Sequence, residues 1–347
     1  MLDLIFDWLK ARHNGIESQD SRMCGYVLTK ASSLIKSREI WVPVGALQIE
    51  RELAFANIVL KVLTAERFDE WHAEALQRKE RREYSEAEWT AKVDDWITRH
   101  RKAYQGFTAA TVTVDAELDR AVEIAYAEAD DALAMLRVFD GANLEPRIVS
   151  GCVALGTHGE AKRHYLETTP SRLEQVSVGQ SGPSIARYII DDEALGVFGR
   201  DLMTVGDLLK LRERTPYQEQ LLDALRIYSR SSLAADPADK LIYILVALES
   251  MLVRDDSEAL QSNIAERIAF LISDALPQRR EIIQSVKAAY GLRSRFLHHG
   301  RRPEDLAVLT RFMNIAFPCI LGLIHNAHQM PSVEALHRAI EDARLSG

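Results

Sequence analysis

The stretch TPYQEQLLDALRIYSRSSLAADPADKLIYILVALESMLV, residues 215–253, decides how the chain divides. Thr215-Pro216 and Asp236-Pro237 each read as a helix cap followed by a first helical residue. Proline suits that place because its fixed φ is already helical and its missing N–H is one the first turn leaves unbonded. From here to the C-terminus the sequence carries helix signals and almost no strand signal. Helices are expected at about 216–234, 237–254, 258–275, 278–299, 303–328 and 332–345. Short loops between amphipathic helices predict antiparallel neighbours in a bundle.

Before this stretch the pattern is mixed. Residues 39–63, EIWVPVGALQIERELAFANIVLKVL, carry β-branched and aromatic residues in partial alternation, the mark of strands. Residues 64–104 are charged and helical, with Trp71, Trp89 and Trp96 set among runs such as QRKERRE. GFTAATVTV reads as a strand, and 115–139 as a long amphipathic helix opening at Asp115. Residues 147–200 return to strand-like pieces (RIVSGCVAL, KRHYLET, ARYIIDD) separated by the turn-rich VGQSGPS. The expected class is α+β, with a mixed domain with antiparallel strands at 1–212 and an all-α helical domain at 213–347.

Composition excludes several classes. With 47% hydrophobic and 27% charged residues the chain is neither disordered nor fibrous. A net charge of −8 supplies no global field for nucleic acid, so any such site must be a local patch. Cys24, Cys152 and Cys319 are far apart, make no metal spacing and suit a reducing cytoplasm. MLDLIFDWLKARHNG at the start is interrupted by Asp3 and Asp7 and reads as an amphipathic helix rather than a signal peptide. LIYILVAL (241–248) is far short of the roughly 20 residues that span a bilayer, so a cytoplasmic protein without a membrane partner is expected.

Phosphate-loop, HExxH, GxGxxG and EF-hand motifs are absent. VGQSG (178–182) lacks the glycine placement of a nucleophile elbow and reads as a loop, and Gly156-Thr-His-Gly159 as a turn. His325 and His328 have a spacing that two metal ligands can use. No cysteine or carboxylate stands beside them in sequence, so solvated or packed histidines are expected and no metal or other cofactor is assigned. QRKERRE reads as a solvated helix face, with a partner or nucleic-acid surface as the alternative.

YGLRSRFLHHG (290–300) is the stretch that carries chemistry. At about 100° per residue with Val286 at zero, Ile282, Ile283, Ala289, Tyr290 and Leu297 form an apolar stripe. Arg293 falls within that stripe, Arg295 on the opposite face, and His298 at the stripe's margin. A guanidinium among apolar side chains must be paired or line a cleft or interface. Glu249, the lone charge within LIYILVALESMLV, is the candidate partner, and periodicity alone leaves a structural pair and a functional arginine both open. Gly300 reads as a C-cap, which puts His298 and His299 in the last turn, where the helix dipole favours a protonated imidazole. Residues 278–302 hold Arg279, Arg280, Lys287, Arg293, Arg295, Arg301 and Arg302 against Glu281 alone. That is a basic patch in an acidic chain, the sign that suits phosphate.

ALRIYSRSSLAADPADKLIYILVALESMLV, then NIAERIAFLI, then VKAAYGLRSRFLHHG, taken in this order, resembles an HEPN domain of the Apea-like group over roughly residues 217–325. The family signature of arginine, a polar residue, three more residues and histidine near a helix end is matched by Arg293, Ser294 and His298. The resemblance implies a helical bundle and a homodimeric, metal-independent endoribonuclease whose two Arg–His pairs share one cleft. Many relatives act as toxins or in antiviral defence, some beside an antitoxin or regulatory partner. Carried over, His298 moves the proton of the 2′-OH or the leaving group, Arg293 stabilises phosphate charge and Ser294 orients nearby. Lys287, Arg295, Arg301 and Arg302 would hold the RNA substrate, with Glu249 as an accessory residue. Two departures stand out: Ser294 replaces the asparagine or aspartate of many active members, and the doubled histidine makes His299 an alternative to His298. The alternative implied by the same family is an inactive module for dimerisation or for binding a nucleotide or protein. A further alternative places the principal binding surface in the N-terminal domain, at Trp71, Trp89, Trp96 and the neighbouring basic run.

Overall fold

The computed structural model describes residue 32, residues 34–77, 84–156, 184–254, 258–300 and 305–345, and the backbone course of 163–169 and 172–181. Strands β1 (Lys36–Val44), β2 (Leu47–Ile49), β3 (Leu53–Phe55) and β4 (Ile58–Val62) are followed by helices α1 (Ala65–Gln77) and α2 (Glu86–Tyr104). Strand β5 (Thr108–Ala116) and helix α3 (Leu118–Arg137) come next. The main sheet runs β1-β5-β4-β3 with every pairing antiparallel. Its longest ladder sets Lys36 of β1 opposite Ala116 of β5 and Val44 opposite Thr108.

Both faces of this sheet are covered, which explains the apolar run TAATV in β5, buried without alternation from Thr108 to Val112. On one face Val42, Val44, Leu60, Ala110 and Val112 join the large core beneath α3. Ala121, Ala125, Ala129 and Ala132 are buried along α3, and their small side chains let the helix lie close to the sheet. On the other face Leu63 and Ala109 meet Phe68 of α1 and Val93 and Ile97 of α2, with Trp41, Trp71 and Trp89 packed around them.

Then come β6 (Ile148–Ser150), β7 (Arg163–Thr169), β8 (Arg172–Ser181), β9 (Ser184–Ala186), β10 (Tyr188–Ile190) and α4 (Asp192–Lys210). β7 and β8 pair antiparallel, while β6 with β9 and β2 with β10 are short parallel pairs. The helical part is α5 (Pro216–Leu233), α6 (Pro237–Leu252), α7 (Leu260–Ile272), α8 (Leu276–His299), α9 (Leu306–His325) and α10 (Val333–Leu345). The molecule is therefore α+β, with an antiparallel sheet toward the N-terminus and helices toward the C-terminus. The six helices expected after residue 215 are present, each within a few residues of its expected ends. Thr215 caps α5 through a reciprocal bond with Gln218, and Asp236 caps α6.

Four expectations change. Asp115 does not open α3: it lies in β5 opposite Ser37, and Glu117 is the cap, accepting from the N–H of Asp119 and Arg120. Residues 192–210 form a helix where strand-like pieces were expected to run on to 200; Asp191 caps it by accepting from Ala194 N–H. Val178–Ser181, expected in a loop, completes β8. Leu297 leaves the apolar stripe of α8 and is 55% exposed. Cys24, the start MLDLIFDWLKARHNG, residues 78–83 of QRKERRE, Gly182 of VGQSG and residues 157–159 lie outside the described residues.

The apolar core is continuous from the sheet through α3 and α4 into the bundle, across the boundary at 212. Polar contacts cross with it. Arg226 of α5 binds Asp131 of α3 through Nε at 2.7 Å and Nη2 at 3.1 Å. Lys240 of α6, with no exposed surface, donates from Nζ to the carbonyls of Ala142 (3.1 Å) and Ser231 (3.0 Å). Ser231 Oγ donates in turn to Asn143 Oδ1 at 2.7 Å. Helix α9 is apolar and long enough to cross a membrane by length and composition, yet Phe312, Met313, Ala316, Cys319, Ile320 and Leu323 are buried within the bundle. Its place at the centre of the helices accounts for its composition.

One ion pair at the mouth of α7 gives a pH-dependent expectation. Arg267 meets Glu258 in a fork, Nη1 to Oε1 at 2.6 Å and Nη2 to Oε2 at 2.8 Å, and Arg254 N–H and Asn263 Nδ2 also donate to the carboxylate. These donors, Arg267 first, pull Glu258 down from 4.5 to about 2. A depressed carboxyl adds stability that is fully present above 4.5 and is lost as pH falls toward 2. Glu258→Ala should cost about 3 kcal/mol at pH 7, because it leaves Arg267 buried without its partner. Chemical unfolding of both proteins should show that difference shrinking below pH 4.5.

Candidate active site

Helix α8 owes its exposed end to a mismatch in length. It has 24 residues and pairs with α7, which has 13. At about 1.5 Å per residue the partner falls short by roughly 16 Å. Gln261, at the start of α7, donates from Nε2 to the carbonyl of Lys287 at 3.1 Å, so α7 begins abreast of Lys287. The last three turns of α8 run on beyond it. Gly300 then stops the helix in the left-handed region, φ 62°, and its N–H closes onto Phe296 O at 2.9 Å.

At the inner edge of this overhang α6 supplies Glu249 and α8 supplies Tyr290 and Arg293. Glu249 Oε1 accepts from Tyr290 Oη at 2.8 Å and from Arg293 Nη1 at 2.9 Å. Tyr290 is buried, and desolvation, with the Glu249 charge next, drives its phenol far above the ordinary value of 10. It therefore stays a protonated donor. The side chains of Arg293 and Glu249 keep 26% and 17% of their surface exposed. The pair is thus neither sealed in a dry core nor free in solvent. Arg293 Nε is buried with no hydrogen-bond partner, as are the Nε atoms of Arg67, Arg101 and Arg137; the partly exposed remainder of its guanidinium is what a second acceptor could reach.

Ser294, Arg295, His298 and His299 are exposed on the overhang, as is Lys287 one turn before it. His298 stands five residues beyond Arg293, about 140° round the helix and ~7.5 Å along it. They leave different faces of the helix, and no hydrogen bond joins them among the described residues. The structure thus brings together Arg293, Glu249 and, unforeseen, Tyr290, and leaves His298, His299 and Ser294 free in the same last turns. Arg301 and Arg302 lie outside the described residues.

The basic patch loses one member. Arg279 is buried over the ring of Phe270, 4.0 Å from its centroid, and donates from Nε to Ser273 O at 2.7 Å. It staples the α7–α8 turn instead of meeting a substrate. Arg280, Lys287 and Arg295 stay exposed.

His325 does have a carboxylate neighbour, from a helix the sequence did not reveal: its Nε2 is 2.7 Å from Oδ1 of the buried Asp201 of α4. Burial raises the Asp201 carboxyl, and the His325 charge opposes that shift. Among the described residues no three histidine, cysteine or acidic side chains gather closely enough to hold a metal ion. Cys152 and Cys319 are buried thiols pushed up to about 12, which leaves them inert as nucleophiles.

The chain matches no family model, no curated protein and no solved structure.

Proposed function

We propose that the exposed end of α8 is a metal-independent endoribonuclease site of HEPN type that works as a homodimer. The observation that carries this reading is the state of Arg293. Glu249 and Tyr290 hold it in place at the edge of the overhang, with only Nη1 of its guanidinium hydrogen-bonded among the described residues and two histidines exposed in the turn beyond. An unpaired buried Nε alone does not set Arg293 apart, since Arg67, Arg101 and Arg137 share it; its position beside two exposed histidines on a partly exposed helix end does.

The chemistry is a transesterification. The ribose 2′-oxygen attacks the adjacent phosphorus as its proton passes to a base; the bond from phosphorus to the 5′-oxygen breaks, and that oxygen takes a proton from an acid. The products are a 2′,3′-cyclic phosphate and a 5′-hydroxyl, with no net change in protons. Arg293 stabilises the charge on the phosphate oxygens as the transition state forms. His298 serves as base or acid, and a second copy brings the other histidine across a twofold cleft. Leu297, exposed on the same turns, gives that dimer an apolar contact. Lys287 and Arg295 hold the flanking phosphates and Ser294 orients locally.

Wild-type protein incubated with single-stranded RNA in excess EDTA should leave 2′,3′-cyclic phosphate ends, and should sediment as a dimer. Ends of 3′-hydroxyl type, or cleavage that stops in EDTA, would refute the mechanism. Loss of cleavage in His299→Ala with full activity in His298→Ala would move the proton-transfer role to His299.

A further inference from the structure

At the other end of the molecule a groove of about 700 Å³ opens between β1, α1 and α2. Its volume falls within the range of small-molecule sites, roughly 300–1,000 Å³. Trp41 enters from β1, Trp71 from α1, and Trp89, Trp96, His100 and Tyr104 from one face of α2. The rings are ordered against each other. Trp41 and Phe68 each meet Trp71 edge to face, at 5.3 Å and 5.4 Å, and Trp96 lies over His100 at 4.3 Å. Trp96 nevertheless stays 43% exposed. Trp41 and Trp89 spend their indole N–H groups on Glu39 (3.0 Å) and on the carbonyl of Ala75 (3.1 Å), so their orientation is fixed.

Two observations identify the chemistry of an occupant. First, the protein already places its own cations on these rings. Arg67 sits 5.0 Å from the centre of Trp41 and 5.2 Å from Trp71, Lys61 is 5.3 Å from Trp41, and Lys92 is 4.2 Å from Tyr84 at the groove's edge. Ring faces attract cations through their quadrupole, and those of Trp89 and Trp96 carry none among the described residues. Second, the lining offers one open carboxylate. It holds Glu39, Glu74 and Lys92, and Lys61 and Arg67 stand beside Glu39. Glu39 is held ionised by Lys61 and Arg67, which leaves the exposed Glu74 as the carboxylate open to an incoming charge.

We infer that the groove binds a small organic cation of the substituted-ammonium class, its alkyl groups against Trp89 and Trp96 and its charge facing Glu74. This inference is independent of the ribonuclease reading, since it uses no residue of α8. The probe is choline, titrated calorimetrically into the full chain beside 3,3-dimethylbutan-1-ol, its uncharged isostere. Choline should bind saturably and at least about tenfold more tightly than the isostere, the margin expected of a desolvated cation on aromatic faces. Trp96→Ala should weaken choline by about tenfold. Glu74→Gln, an exposed change that leaves the core intact, should weaken choline and not the alcohol. Equal binding of the two compounds, no binding of choline, or preference for adenosine monophosphate over choline would each overturn the inference.

Discussion

Lys240→Ala should destabilise the molecule by about 4 kcal/mol. The side chain has no exposed surface, and its ammonium is the donor for two buried carbonyls, Ala142 O and Ser231 O. Truncation leaves both without that partner, at about 1–3 kcal/mol each, and adds a cavity where the stem was. Against this stands relief from burying a charge, so the sum stays below the full arithmetic. Lys240→Met, which keeps the stem, should cost markedly less.

The cost should fall on both ends of the chain together. Four of the five tryptophans, Trp41, Trp71, Trp89 and Trp96, stand on the sheet or the helices covering it, so indole fluorescence is weighted to the sheet end, while far-ultraviolet circular dichroism is dominated by the helices. With one core running from sheet to bundle, Lys240→Ala should shift both unfolding midpoints by the same amount. A shift in the dichroism alone would mean that the two parts unfold separately. The charge gives a second check. Desolvation lowers the Lys240 ammonium from 10.5 to about 8. Between those values the unfolded chain binds a proton that the folded chain has released, so this residue makes stability rise with pH over that window. The gain should be absent from Lys240→Met.

Arg293→Ala should lower RNA cleavage by at least about a hundredfold, the usual cost of removing one group that stabilises transition-state charge. It should also cost about 1–3 kcal/mol of stability, because Glu249 loses the donor on Nη1 and stays only 17% exposed. The two effects must be separated, and Arg293→Lys does so. An ammonium can keep the ion pair with Glu249 while lacking the planar fork that meets two phosphate oxygens. The expected result is near-normal stability with most of the cleavage still lost. Arg293→Lys with full activity would show that the guanidinium serves only to hold α8 against α6.

How much of this was legible beforehand follows from how local each signal is. The bundle was, because Thr215-Pro216, Asp236-Pro237 and Gly300 are start and stop signals written in neighbouring residues. Arg293 and Glu249 were also legible: each is a charge in an apolar stripe, and two such charges on neighbouring helices need each other. Tyr290 was placed on the right face, but its bond to Glu249 depends on the angle between α6 and α8, which no single helix encodes. Leu297 misled because periodicity assumes a partner along the whole helix, and α7 begins only abreast of Lys287. Helix α4 was missed although Asp191 is a good cap, since Gly196, Gly199 and Gly206 weaken its propensity. Gly206 earns its place by packing: a Cβ there would come within 3.0 Å of the Phe55 ring. With α4 unseen, the Asp201–His325 contact was out of reach.

The most direct test of the active-site proposal is cleavage of single-stranded RNA in excess EDTA by wild type and His298→Ala. His298 is exposed and makes no hydrogen bond in the fold among the described residues, so its loss should change stability by less than about 0.5 kcal/mol. The proposal predicts EDTA-resistant cleavage by the wild type and a rate at least about a hundredfold lower for an equally folded His298→Ala. No cleavage by the wild type would contradict it, and so would equal rates for the two proteins unless His299→Ala is inactive.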